Sequence, residues 1–245
     1  MGCRAVSPDL WWLSFRPMGR SLLRCCGWIA GAVALSAVLA WVALFAASGA
    51  LKVAGAVLWA GVVLSVVLLG GHFCIRLGGQ LLADEQQTGR LDLMLSYPLS
   101  RRRILFEKLA MLLVCAAALG VTAGGGLLLA NRLVWGSYLS GAHVLFADPF
   151  LPGDNLRFVV NWFLLFLNGG YLALALGAAG LNGRTSRILA WAGLGSFLTG
   201  YLLPRFLGWE LRFSFNSVAV CAGLAGAALI SVVAAWYTFE RRDVA

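Results

Sequence analysis

Long apolar runs alternate with short polar ones along the whole chain. The runs fall at roughly 27–48, 53–75, 109–130, 158–181, 188–203 and 215–238. Most hold about 20 residues, enough for a helix to cross a hydrocarbon core of about 30 Å. The fifth is the shortest, about 16 residues ahead of Pro204, and it can continue past that proline to Leu207. Period-two alternation is absent, which argues against a β-barrel. The pattern predicts an all-α polytopic membrane protein with six transmembrane helices in one domain, 27–245. Residues 1–26 form a separate N-terminal amphipathic segment. Within it Trp11, Trp12 and Phe15 alternate with Arg16 and Arg20, a mix that suits an interfacial helix at the headgroups.

Composition agrees with the pattern. The 245-residue chain is 61% hydrophobic and only 12% charged, about half the charge of a typical soluble domain. Its net charge of +9 could point to nucleic acid, but the bases gather at the ends of apolar runs, where membrane topology accounts for them. With six spans, one side holds Arg4, Arg16, Arg20 and Arg24, then Arg76, Arg90, Arg101, Arg102, Arg103 and Lys108, then Arg184, Arg187, Arg241 and Arg242. The other side holds Lys52, Arg132, Arg157, Arg205 and Arg212. Fourteen cations against five put both termini in the cytoplasm of a plasma-membrane protein. Trp28, Trp59, Trp162 and Trp236 lie near span ends, where an indole can sit at the headgroups.

Several chemistries are excluded. The six cysteines form no CxxC, and four lie in or beside apolar spans, where cysteine packs as a small hydrophobe. HExxH is absent, and His72 and His143 stand too far apart in sequence to make a good metal site. No span carries a central Asp, Glu, Lys or Arg for a proton relay. Asn168, near the middle of the fourth span, suits a helix–helix hydrogen bond. There is no GxxxxGK[ST] phosphate loop; Gly124, Gly125 and Gly126 lie inside a span with no following Lys. Gly120 with Gly124, and Gly27 with Gly31, have the spacing of close helix-packing faces.

One polar stretch stands apart: LADEQQTGRLDLMLSYPLSRRRILFEKL, residues 81–108. If 81–95 is one α-helix, Leu81, Asp84, Glu85, Thr88, Leu91, Asp92 and Leu95 share an arc of about 120°. Carboxylates mixed with leucines make a poor lipid-facing stripe and a good docking face. Pro98 stops that segment. Ser100 can cap a helix that opens at Arg101, Arg102 and Arg103, whose charges suit anionic headgroups, and that runs through Lys108 into the third span. The same residues equally describe a solvated loop with topogenic arginines.

The run Asp84, Glu85, Gly89, Leu91, Asp92, Leu95, Ser96, Pro98, Ser100, Arg101 and Lys108 resembles the signature loop of type-2 ABC transporter permeases. That loop reads as an acidic pair, polar residues, Gly-Thr-Leu-Glu, leucines, Ser, a variable residue, Pro, a hydrophobe, Ser-Arg and a later Lys. Arg90 stands where the family usually has Thr, and Asp84 where Glu is commoner. The six spans, the amphipathic leader and the ending FERRD are similar to that family too.

The resemblance implies a non-catalytic permease subunit, most often of an exporter. Its loop 76–108 would hold a cytoplasmic coupling helix between spans two and three. That helix would dock on a separate ABC ATPase subunit, which would bind ATP and Mg; this chain would hold no cofactor. A second permease copy or homologue would complete the pathway. Asp84, Glu85, Thr88, Gly89, Leu91, Asp92, Leu95 and Pro98 would form the docking and coupling surface. Ser100, Arg101, Arg102, Arg103 and Lys108 would form its anchor. A membrane anchor that recruits a cytoplasmic partner without transport is the alternative, and a facilitative channel or carrier is a third.

Overall fold

A chain this apolar must satisfy its backbone polar groups internally, and helices do so within one segment. The computed structural model describes residues 8–45, 49–87, 100–135, 152–206 and 217–241, and all the regular structure among them is helical. Helix α1 is Pro8–Phe45 and α2 is Gly49–Gly79. A π-helical turn, Gln80–Asp84, and one more helical turn, Glu85–Gln87, prolong α2. Helix α3 is Arg101–Gly120; a second π-helical turn, Val121–Gly125, joins it to α4, Gly126–Trp135. Helices α5 (Pro152–Ala178), α6 (Gly183–Phe206) and α7 (Val218–Arg241) follow.

Among the described residues, four stretches are long and apolar enough to cross a membrane: Gly61–Gln87, Arg101–Ala130, Leu156–Ala178 and Val218–Arg241. They fall on the second, third, fourth and sixth expected spans, and the protein is a helical membrane protein on that ground. The first and fifth expected spans lie on α1 and α6. Helix α1 runs unbroken from the amphipathic leader into the first apolar run, so the leader is not a separate helix. At 38 residues it is about 57 Å long, well over the hydrocarbon thickness.

Helix α5 is the hub, with 67% of its span buried against the rest, whereas α7 has 17% of its span covered. Small residues permit this density. A Cβ on Gly120 would lie 2.5 Å from Phe163 Cα, and one on Gly124 would lie 2.9 Å from Val159 Cα. This pair is therefore a true packing face of the α3 side against α5. Gly27 and Gly31, with the same spacing, have nothing within 4 Å of such a Cβ. Asn168 Nδ2 donates to Leu224 O at 2.8 Å and so ties α5 to α7, as helix–helix bonding requires. Trp162, expected at the headgroups, is instead buried, its ring packed on Phe158 and Phe166. Trp28 is exposed.

Side-chain contacts fix the helix directions. Gly70 meets Phe166 and Gly177 meets Ala83, so α2 and α5 run parallel. Gly120 meets Phe163 and Tyr171 Oη donates to Leu109 O, so α3 runs against α5. Gly71 meets Leu194 and Gly79 meets Arg187, so α6 runs against α2. Cys25 Sγ approaches Leu69 O and Val33 packs on Gly126, so α1 runs with α3. The end of α2, the start of α3 and the α5–α6 turn consequently meet at one end of the bundle.

Candidate functional site

That end holds the polar stretch singled out in the sequence. Its base is built by three local structures. First, the end of α2 is enclosed: Leu77, Gly78 and Gly79 are buried, and in the π-helical turn that follows so are Leu81, Leu82 and Ala83. The helical arc expected over 81–95 assumed a regular period, which the turn interrupts; the helix is described only to Gln87. Second, Ser100 caps α3 as expected: its backbone is extended and its Oγ accepts from Arg103 N at 3.3 Å. Third, α5 ends in a tight turn. Leu181 N donates to Leu176 O and Gly180 N to Gly177 O, with Gly180 at φ 94°, a left-handed conformation that suits glycine. Asn182 Oδ1 then accepts from Thr185 N at 2.8 Å and caps α6.

The acidic pair sits where these three structures meet. Glu85 accepts from Lys108 Nζ through both carboxylate oxygens at 2.5 Å. The side chains are only 19% and 11% exposed, so this ion pair lies largely out of water and joins the end of α2 to α3. Asp84 Oδ2 accepts from Arg187 Nη1 at 3.1 Å, which joins the same turn to α6. The other oxygen of Asp84 lies against Gly183, where any Cβ would strike it. The Asp84 carboxylate thus rests on the N-terminus of α6, where the helix dipole favours negative charge.

The arginine run is divided among partners. Arg102 donates from Nε and Nη2 to Glu240 Oε1, at 2.9 and 2.6 Å, and its guanidinium lies 5.6 Å from the Trp236 ring centre. Trp236 Nε1 donates to Glu240 Oε2 at 2.8 Å. Arg102 therefore ties the start of α3 to the end of α7, and its side chain remains exposed. Arg103 reaches Glu107 one turn on, at 3.4 Å.

Of the residues expected to couple or dock, Asp84 and Glu85 are brought together here with the anchor residues Ser100, Arg102 and Lys108. Their carboxylates face neighbouring helices. Thr88, Gly89, Leu91, Asp92, Leu95 and Pro98 lie outside the described residues. The expected set lacked Arg187, Gly183 and Glu240. Arg187 entered the reading only as a topogenic charge and Glu240 only as part of the ending FERRD. A charge-balance argument could have pointed to them: two acids beside leucines need cations, and few are within reach of a bundle end. Among the described residues no group of three His, Cys, Asp or Glu side chains could hold a metal. Comparison with family models and with curated proteins finds no match for the chain.

Proposed function

We propose that this chain is the permease subunit of an ATP-driven transporter of the type-2 ABC class, with six crossings and both termini in the cytoplasm. The observation that carries the reading is the polar segment 81–108. Its acidic pair closes α2, its Ser-Arg pair opens α3, and its later Lys returns to the acidic pair. The helix directions support six crossings. Glu240 of α7 reaches Arg102 of α3, so α7 must start at the opposite end from α3, and α6 must lead it there. The cation bias supports a cytoplasmic placement of that end.

In this reading segment 88–99 is the part that a separate ATPase grips. Leu91, Asp92 and Leu95 supply the contact, and Pro98 stiffens the return into α3. ATP and Mg are bound by the partner, because this chain has no phosphate loop. Closure of two ATPase subunits draws two such segments together. Glu85–Lys108 holds the two sides of each segment at a fixed spacing, so the pull reaches α2 and α3 as one unit. A second permease copy or a homologue supplies the other half of the pathway, most often for export.

The test is purification of the tagged chain in lipid nanodiscs with its bound proteins, followed by ATPase assays. The expected result is a stoichiometric ATPase whose turnover responds to a transported compound. Leu91→Asp with Leu95→Asp should release that ATPase while leaving membrane insertion intact. A bound partner with no nucleotide hydrolysis would favour the anchor reading. Recovery of equal amounts of ATPase with the double variant would remove the docking role of those leucines.

A further inference from the structure

The acidic pair serves two different helices. Glu85 is held by Lys108 of α3, but Asp84 points the other way, to α6. Three separate features converge on the Asp84 carboxylate: the Arg187 ion pair, the missing side chain at Gly183, and the capped N-terminus of α6. Arg187 is itself seated, its Cγ against Gly79 at the foot of the π-helical turn. The preceding residue, Ala83, is buried against Gly177 just ahead of the α5–α6 turn.

We propose that Asp84 is a positioning residue that latches the base of the polar segment to α6. Displacement of that segment then moves α6 as well as α3. The transport consequence rests on the permease reading; the latch does not. The chemistry is specific. A carboxylate is short enough to fit over Gly183, accepts from the guanidinium, and carries the charge that a helix N-terminus favours. Asp84→Asn keeps the shape and removes the charge. Gly183→Ala keeps the charge and pushes the flexible carboxylate off its seat. Arg187→Gln removes the partner.

Hydrogen exchange of the full-length chain in nanodiscs tests the latch without any ATPase. Each of the three variants should speed exchange about fivefold in both segments, 80–87 and 183–188, although they are far apart in sequence. Asp84→Asn with Arg187→Gln should do no more than either alone. Faster exchange confined to the segment that carries the substitution would overturn the proposal. The second arm uses the captured ATPase. The variants should retain wild-type amounts of bound ATPase yet lose most substrate-stimulated turnover. Loss of the ATPase from Asp84→Asn would make Asp84 a docking group and overturn the latch. If the wild-type chain captures no ATPase, the permease reading fails, and the exchange result still decides the latch.

Discussion

Lys108 is the cation with the least room for error. It sits near the membrane end of the polar segment, 9% exposed overall, with both oxygens of Glu85 on its ammonium. An exposed pair is worth about 0–1 kcal/mol, and removal of one partner from a fully buried pair costs about 3–5 kcal/mol. This pair lies between those limits. Lys108→Met should therefore destabilise the protein by about 2 kcal/mol, because the poorly solvated Glu85 carboxylate loses the ammonium that both its oxygens contact. For a chain of this size that lowers the thermal midpoint by about 4–8 °C, measurable by scanning fluorimetry in detergent. Adding Glu85→Gln removes the carboxylate charge that Lys108 balanced and should restore most of the loss. If the double variant were less stable than Lys108→Met, the pair would not be the source. The sequence made this acidic pair conspicuous, but it could not orient it. A helical wheel put Asp84 and Glu85 within one broad arc, but adjacent positions stand about 100° apart on a helix, and here that angle sends the two carboxylates to different helices. Their partners stand 23 and 103 positions away, a separation that no local pattern encodes.

At the scale of helices, close approach decides which small-residue pairs matter. Gly120 and Gly124 let the α3 side reach the backbone of α5, the most enclosed helix. Without a hydrophobic force between helices in lipid, such contact is a main source of association. Gly120→Leu would place a side chain where Phe163 backbone already lies. Overpacking of this kind typically costs about 1–3 kcal/mol, and an obstructed backbone belongs at the upper end. Gly27→Leu points into open space and should leave the thermal midpoint of the isolated chain unchanged. The same detergent melts compare the two variants, and equal losses would contradict the packing described. The two motifs look identical in sequence, since spacing defines a face but not what stands opposite. Helix extents were more legible. Ser100 marked the start of α3 because a hydroxyl before a helix has a definite hydrogen-bonding task. The continuous α1 was not legible, because the change from amphipathic leader to apolar run altered the environment of the helix without breaking its hydrogen bonds.

At the scale of the whole molecule, the ion pairs named above among the described residues gather at one end of the bundle and bear on its topology beside hydropathy. Among the described residues, length and apolarity alone pick out four helices able to cross. Suppose only those four crossed and α6 stayed on the side where α3 starts. Helix α7 would then leave that side, and Glu240 would end about 30 Å from Arg102, across the hydrocarbon core. The observed contact of 2.6 Å instead brings the end of α7 to the start of α3. Helix α6 runs from that polar end to the opposite end of the bundle, with Arg184 and Arg187 in its first turns and Arg205 in its last. An epitope placed between Phe213 and Ser214 should therefore be bound by antibody on intact cells. One placed after Ala245 should be bound only after permeabilisation. Both epitopes on the same side would mean that α6 does not cross, and the clamp between α3 and α7 could not form. The cation count already favoured this topology, but only on the premise that a short apolar run before Pro204 is a span. The Arg102–Glu240 contact bears on the same premise from another direction, because two residues that touch lie at the same depth.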